Sequence, residues 1–273
     1  MRRLNQNRTI VILVAPALIF MVLFFVLPLA FLLMQSFQTD DSVLTLQGYS
    51  DFLTSRTSRI IYWRTLRMGL LITGICTLIA YPASFVIARM PTRRRTFLLS
   101  LVILPLMTNA IARTYAWLII LGRQGIINES LQFFNLIDSP LRLIFTENAI
   151  VLGLTQLFLP LMVLPLVSSM ENIPEDVVEA ARSLGANRLM VFFRIIVPMS
   201  MDGLVLGATL VFTGSVTAYV TPAILGGTRT LLLSTLLYQR AVTLADLNRG
   251  AVVAVVMILT TLSVNLLLRL LRR

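Results

Sequence analysis

Ile173-Pro174-Glu175-Asp176-Val177-Val178-Glu179-Ala180-Ala181-Arg182-Ser183-Leu184-Gly185-Ala186-Asn187-Arg188-Leu189-Met190-Val191-Phe192-Phe193-Arg194-Ile195-Ile196-Val197-Pro198 is the stretch on which the fold turns. Pro174 suits the first turn of a helix, and Glu175 and Asp176 complement the positive end of its dipole. That helix is expected to run to about Leu184, where Gly185 supplies a left-handed stop. Asn187 then caps a second helix that reaches Pro198. Val177, Val178, Ala181 and Leu184 form an apolar stripe on the first helix, with Glu179 and Arg182 elsewhere on it. Such a stripe needs a cover, and a partner protein or a headgroup layer would serve.

On both sides of this elbow the chain turns apolar. Six runs emerge, at about residues 10–34, 66–88, 97–121, 148–168, 199–224 and 251–268. Each approaches or exceeds the roughly 20 residues that cross a bilayer as a helix. Of the 273 residues 57% are hydrophobic and 13% charged, where a soluble domain carries about 25% charged. Lipid must therefore cover much of the surface. The expected fold class is an all-α membrane protein of six transmembrane helices, a single transmembrane domain over 1–273. The first run is too long for the apolar region of a signal peptide, so it reads as an uncleaved span. Pro16 and Pro28 are expected to bend it or mark its ends.

The net charge is +11, with 23 basic and 12 acidic residues. Every basic residue is Arg, and the arginines gather at the ends of apolar runs, where they anchor helices against anionic headgroups rather than bind nucleic acid. With the N-terminus in the cytoplasm, the inside segments hold Arg2, Arg3, Arg8, Arg89, Arg93, Arg94, Arg95, Arg182, Arg188, Arg194, Arg269, Arg272 and Arg273, against nine arginines outside. Both termini are thus expected inside. The outside segments Phe37–Trp63, with Asp40, Asp41 and Asp51, and Gly122–Glu147 are longer than simple turns. Either they dock an extracytoplasmic partner or they merely connect through short surface helices. Cys76 is the one cysteine and His is absent, so disulfides, thiolate metal clusters and His-based acid/base chemistry are excluded. A membrane enzyme is correspondingly disfavoured, with no catalytic residue and no metal site expected.

Within the elbow, Glu179-Ala180-Ala181, three residues, Gly185, nine residues, Ile195, one residue and Val197-Pro198 resemble the EAA loop of ABC importer permeases. Val197 stands where that family carries Leu. Ala80-Tyr81-Pro82-Ala83, Leu104-Pro105-Leu106, Ala112-Arg113-Thr114-Tyr115-Ala116-Trp117, Gly125-Ile126-Ile127-Asn128 and Leu225-Gly226-Gly227 resemble its spermidine/putrescine branch. Related branches for opines, ferric ion, thiamine or phosphonates share much of this pattern. The resemblance implies a type I importer permease fold, with a permease core over about 65–269 and a coupling loop over 173–198. It also implies that Glu179, Ala180, Ala181, Arg182 and Gly185 contact a cytosolic ATPase subunit. Its other implied partners are a second permease subunit and an extracytoplasmic solute-binding protein. ATP and Mg would be bound by the ATPase pair, and no cofactor by this chain.

Five further residues are candidates for the translocation path. Arg113 is the one basic residue expected inside a span, either a gate or substrate contact or a packing residue. Asp202 lies in the first turn of the fifth run, where it stabilises the helix N-terminus, pairs with an Arg or lines the path. Tyr115, Trp117 and Tyr219 either stack on a cation or anchor at the interface. The alternative function is a stand-alone secondary transporter or channel, which would need ionisable groups near the midplane. Their scarcity counts against it.

Overall fold

The structure, a computed structural model, describes residues 13–38 and 43–270. Arg2, Arg3, Arg8, Asp40, Asp41, Arg272, Arg273 and the expected start of the first span at Ile10 lie outside the described residues. The described residues divide into two compact units.

The first unit contains the residues up to Arg59 together with Leu236–Val256. Its leading helix α1 (Leu13–Ser36) is apolar all round and runs through both prolines. Pro28 has no N–H to offer the turn before it. A π turn over Val22–Val26 absorbs the defect, with the Leu27 N–H donating to the Val22 carbonyl. The described residues of the first outside segment include a short helix, one of the two arrangements expected of it. Gln38 and Leu44 form a β-bridge, and α2 (Gln47–Thr54) comes next. The Tyr49 hydroxyl donates to Ser36 Oγ at 2.7 Å.

The second unit, Ile60–Thr235 with the residues from Met257, carries the elbow. Helix α3 (Arg56–Ala88) begins ten residues before the expected span and runs through Pro82. The third expected span is not one helix. It is α4 (Thr92–Met107) and α5 (Ala110–Ile120), bent by 92°. After a short helix α6 (Ile126–Phe133), held by buried Asn128 bonded to Gly122 and to both backbone groups of Leu141, comes α7 (Glu147–Glu171). The elbow is next, as α8 (Glu175–Ser183) and α9 (Arg188–Met199). The fifth expected span is also broken, into α10 (Met201–Thr217) and α11 (Val220–Gly226). A short α12 (Leu233–Tyr238) precedes α13 (Leu247–Leu270), which matches the sixth; their residues within Leu236–Val256 belong to the first unit.

The core of this unit is built on α7. Ile72, Cys76 and Ala80 of α3, Ile150, Leu154, Met162 and Leu166 of α7, and Val211 of α10 are fully or nearly fully buried together. In lipid there is no water to squeeze out between helices, so close van der Waals packing must hold them. Gly203, Gly207 and Gly214 serve that end along one side of α10. A methyl carbon at these positions would come within 2.5 Å of the Pro165 carbonyl oxygen, 2.7 Å of Met162 Sδ and 2.6 Å of the Phe158 ring.

Candidate functional site

The elbow forms as its residues dictate, one position shifted. Pro174 is the residue before the first turn of α8, not inside it, and the Val177 N–H donates to its carbonyl at 3.3 Å. At the far end Gly185 takes φ +88°. The Ala186 N–H reaches back to the Ala181 carbonyl at 3.0 Å and the Gly185 N–H to Arg182 at 2.9 Å. This pair of bonds is a Schellman stop, which requires the left-handed residue. No atom lies within 4 Å of the place a Gly185 side chain would occupy, so conformation rather than space selects glycine. Asn187 Oδ1 then accepts from the Met190 N–H at 2.8 Å and starts α9.

The apolar stripe expected on α8 is split. Val178 is buried and Ala181 half-buried, both against the core of the bundle. Val177, Ala180 and Leu184, spaced i, i+3, i+7, are exposed, Leu184 to 89%. The reason is that α8 lies down on its own bundle, and only two of the stripe's four positions fit beneath it. Of the residues expected to meet the ATPase, Ala180 and Gly185 are exposed, while Ala181 is turned inward. Glu179 and Arg182 are exposed and line a cleft of about 500 Å³ with Glu175, Arg89, Arg95 and Glu171. Arg89 is held below the usual arginine range by partial burial and by the like charge of Arg182, with Glu175 opposing.

Contacts at and beside this elbow tie the spans to it and to one another. The Arg95 guanidinium pairs with Glu171 at 2.7 Å, tying the start of α4 to the end of α7. Phe192 of α9 sits edge-on to Tyr81 and Phe85 of α3, at centroid distances of 5.8 and 5.6 Å. Arg89 lies 4.1 Å over the Phe85 ring. At Ser200 the chain bends by 66° from α9 into α10. There Ser200 Oγ shares a 2.7 Å hydrogen bond with the Tyr81 hydroxyl and donates to the Ile196 carbonyl at 2.6 Å. A π turn over Phe192–Ile196 precedes Pro198 as the one in α1 precedes Pro28. Force applied to α8 therefore reaches α7, α3 and α10 through short connections.

The five path candidates do not form one cluster. Arg113, expected inside the third span, lies on α5, just beyond the 92° bend. Its Nη1 donates to the Pro105 carbonyl at 2.6 Å and to Thr108 Oγ1 at 3.2 Å. Because α4 ends at Met107, the Pro105 carbonyl has lost its helical donor. Arg113 replaces it. Asn109 Oδ1 accepts from the Ile111 and Ala112 N–H groups and caps α5. Trp117 Nε1 donates to Gln156 Oε1 of α7 at 2.9 Å. Tyr219 is at the break between α10 and α11, beside Ala218, whose carbonyl accepts from Ser234 Oγ at 2.6 Å. A 3.2 Å contact between Thr114 Oγ1 and Thr221 Oγ1 brings α5 and α11 together. Trp117 and Tyr219 are thus on the elements that meet at the two breaks. Tyr115 is 53% exposed. Asp202 is in the first turn of α10 as expected, but roughly 23 Å of helix separates it from the break.

Sequence reasoning missed Gln156 and the Tyr81–Ser200 link. It also missed both breaks, although two signals were present. Asn109 is a cap residue four positions after Pro105, and Pro222 belongs in a first turn rather than mid-helix.

Residues 80–273 match the family described as binding-protein-dependent transport system inner membrane component. The spermidine/putrescine transport system permease protein PotB of Escherichia coli strain K12 is 34% identical over 241 residues, 86% of this chain and 87% of that protein. PotB of Haemophilus influenzae strain Rd is 34% identical over 236 residues, 84% and 82% of the two chains. Among solved structures, a bacterial ABC transporter involved in the import of the acidic polysaccharide alginate superposes with a TM-score of 0.78. It is 14% identical and covers 100% of this chain and 97% of its own, a likeness of fold.

Proposed function

The chain belongs to the binding-protein-dependent transport system inner membrane component family, and from that premise we propose that it is the permease subunit through which an ATP-driven importer carries polyamines of the spermidine and putrescine kind. The elbow carries this reading. A helix that exposes Val177, Ala180 and Leu184, stopped by Gly185 at φ +88°, is a compact knob fixed to three spans. Such a knob suits the groove of a cytosolic ATPase, and each of the two ATPase subunits then needs a permease chain above it. ATP and Mg reside on that pair, and an extracytoplasmic binding protein delivers the solute.

Glu179 and Arg182 act at the rim of the knob, where they meet charges of the ATPase and sense the cleft behind α8. Closure of the ATPase pair pushes α8 and the adjoining end of α7, and Tyr81, Ser200 and Glu171 hand the displacement to α3, α10 and α4. The path runs along the broken spans, where Trp117 and Tyr219 offer π faces to a cationic chain. Arg113 keeps its positive charge, and its guanidinium is held back at the α4–α5 bend by the Pro105 carbonyl and the Thr108 hydroxyl. With no acidic cluster among the described residues of the spans, selectivity rests on the binding protein. Both termini and the elbow are cytoplasmic in this arrangement.

The test is co-expression of the chain with its ATPase and second permease, scoring co-purification and uptake of labelled spermidine and putrescine. Gly185→Asp is expected to lose both the ATPase and uptake while the chain stays in the membrane. Unchanged association in Gly185→Asp and Glu179→Lys would overturn coupling through the elbow and return the reading to a stand-alone transporter. Intact coupling with no polyamine uptake would overturn the substrate alone.

A further inference from the structure

Helix α4 has no buried residue. Its exposed side is ordered by chemistry. Arg93 and Arg94 stand in the first turn, Phe97 one turn on, then Leu101 and Leu104, which are exposed by 64%, 49% and 54% from Phe97 onward. These positions recur at i, i+4, i+8 and i+11, so they form one stripe along the helix. At its charged end Arg93, Arg94, Phe97, Leu98 and Met90 line an open groove of about 540 Å³. Neither Arg93 nor Arg94 has an acidic partner among the described residues, whereas the adjacent Arg95 is paired with Glu171 at 2.7 Å.

Two features separate this stripe from an ordinary solvated charge run. First, the arginines lie at the head of a helical track of exposed Phe97, Leu101 and Leu104, with Ser100 on its flank, not in a polar loop. Second, the length is right. From Arg94 to Leu104 is about 15 Å at the helical rise, which is half the roughly 30 Å hydrocarbon thickness, one leaflet. The track then stops at the 92° bend after Met107. A ligand with an anionic head and an apolar tail one leaflet long matches head to head and tail to tail.

We propose that the α4 face of Arg93, Arg94, Phe97, Leu101 and Leu104 binds an anionic phospholipid, its phosphate held by Arg93 and Arg94 and an acyl chain lying along the apolar track to the bend. Arg95 belongs to the internal pair with Glu171 and takes no part. The lipid covers the groove from the side and fixes the start of α4 next to the cleft behind α8.

The test uses the full-length chain. Purified protein is reconstituted into nanodiscs of phosphatidylcholine alone or with phosphatidylglycerol, and lipid retained through detergent exchange is read by native mass spectrometry. The wild type is expected to retain phosphatidylglycerol in preference to phosphatidylcholine. Arg93→Gln with Arg94→Gln lowers that preference on the order of tenfold, and Arg95→Gln leaves it in place. Phe97→Ser lowers retention of both lipids, and excess inorganic phosphate does not displace the bound lipid. Equal retention by the double variant and the wild type would overturn the proposal. So would displacement by inorganic phosphate alone, or crosslinking of Phe97→Cys to a protein partner in place of lipid in the assembled transporter.

Discussion

The elbow between α8 and α9 and the bend between α4 and α5 are both helix–turn–helix corners, yet they are held by different means. The elbow is closed by backbone. Gly185 at φ +88° lets two N–H groups return to the carbonyls of Ala181 and Arg182, and Asn187 caps the second helix. The α4–α5 corner has no glycine. Asn109 caps the new helix, and a guanidinium four residues later reaches back to the Pro105 carbonyl. The difference follows from what each stretch of sequence supplies and sets an expectation for the surroundings of each corner. Outside the spans, water can satisfy whatever the backbone leaves open, so a turn need only be conformationally possible. Inside an apolar layer nothing else will bond an orphan carbonyl, so a side chain must be supplied by the protein.

Four substitutions would break or sharpen this contrast. The largest effect is expected from Arg113→Met, which keeps length, removes the charged donor and leaves the Pro105 carbonyl only the Thr108 hydroxyl at 2.8 Å. About 2 kcal/mol of stability should be lost, read as a fall in the apparent melting temperature of the reconstituted protein. An unchanged melting temperature would mean that the corner is held by packing and not by this bond. Next come the two caps. Asn109→Ala should cost about 1 kcal/mol and Asn187→Ala about half that, because water can replace the cap only at the elbow. Equal losses would erase the distinction between the corners. The smallest effect on stability is expected from Tyr81→Phe. It removes the 2.7 Å bond to Ser200 but retains the ring against Phe192 and leaves Ser200 bonded to the Ile196 carbonyl, for less than about 0.5 kcal/mol. Here the informative measurement is solute uptake per ATP hydrolysed, which should fall if Tyr81 and Ser200 transmit the elbow's motion. An unchanged ratio would leave the aromatic contacts as the whole linkage.

The two regions also differ in how far they were legible beforehand. Pro174, Gly185 and Asn187 act on their immediate neighbours, so the helix, stop and second helix of the elbow could be read within a residue or so. The pairs that hold the bends are longer. Arg113 reads as a costly charge in a span until Pro105, eight residues earlier, is seen to need its proton. Ala218 looks like any small residue of the fifth run until Ser234 is found at its carbonyl. The split of the α8 stripe was hidden for a similar reason. Helical spacing puts Val177, Ala181 and Leu184 on one side, but only the bundle decides how much of that side it covers.

The linear chain thus determined on its own the apolar runs, the arginines at their ends and the elbow with its glycine stop. Each of these is a sum over neighbouring residues, where hydropathy and backbone preference act locally. Folding decided where two of the spans break, which residues of α8 remain open to a partner and what Arg113 does. Those outcomes depend on which distant donor meets which carbonyl in a medium without water, and that pairing exists only once the helices have packed.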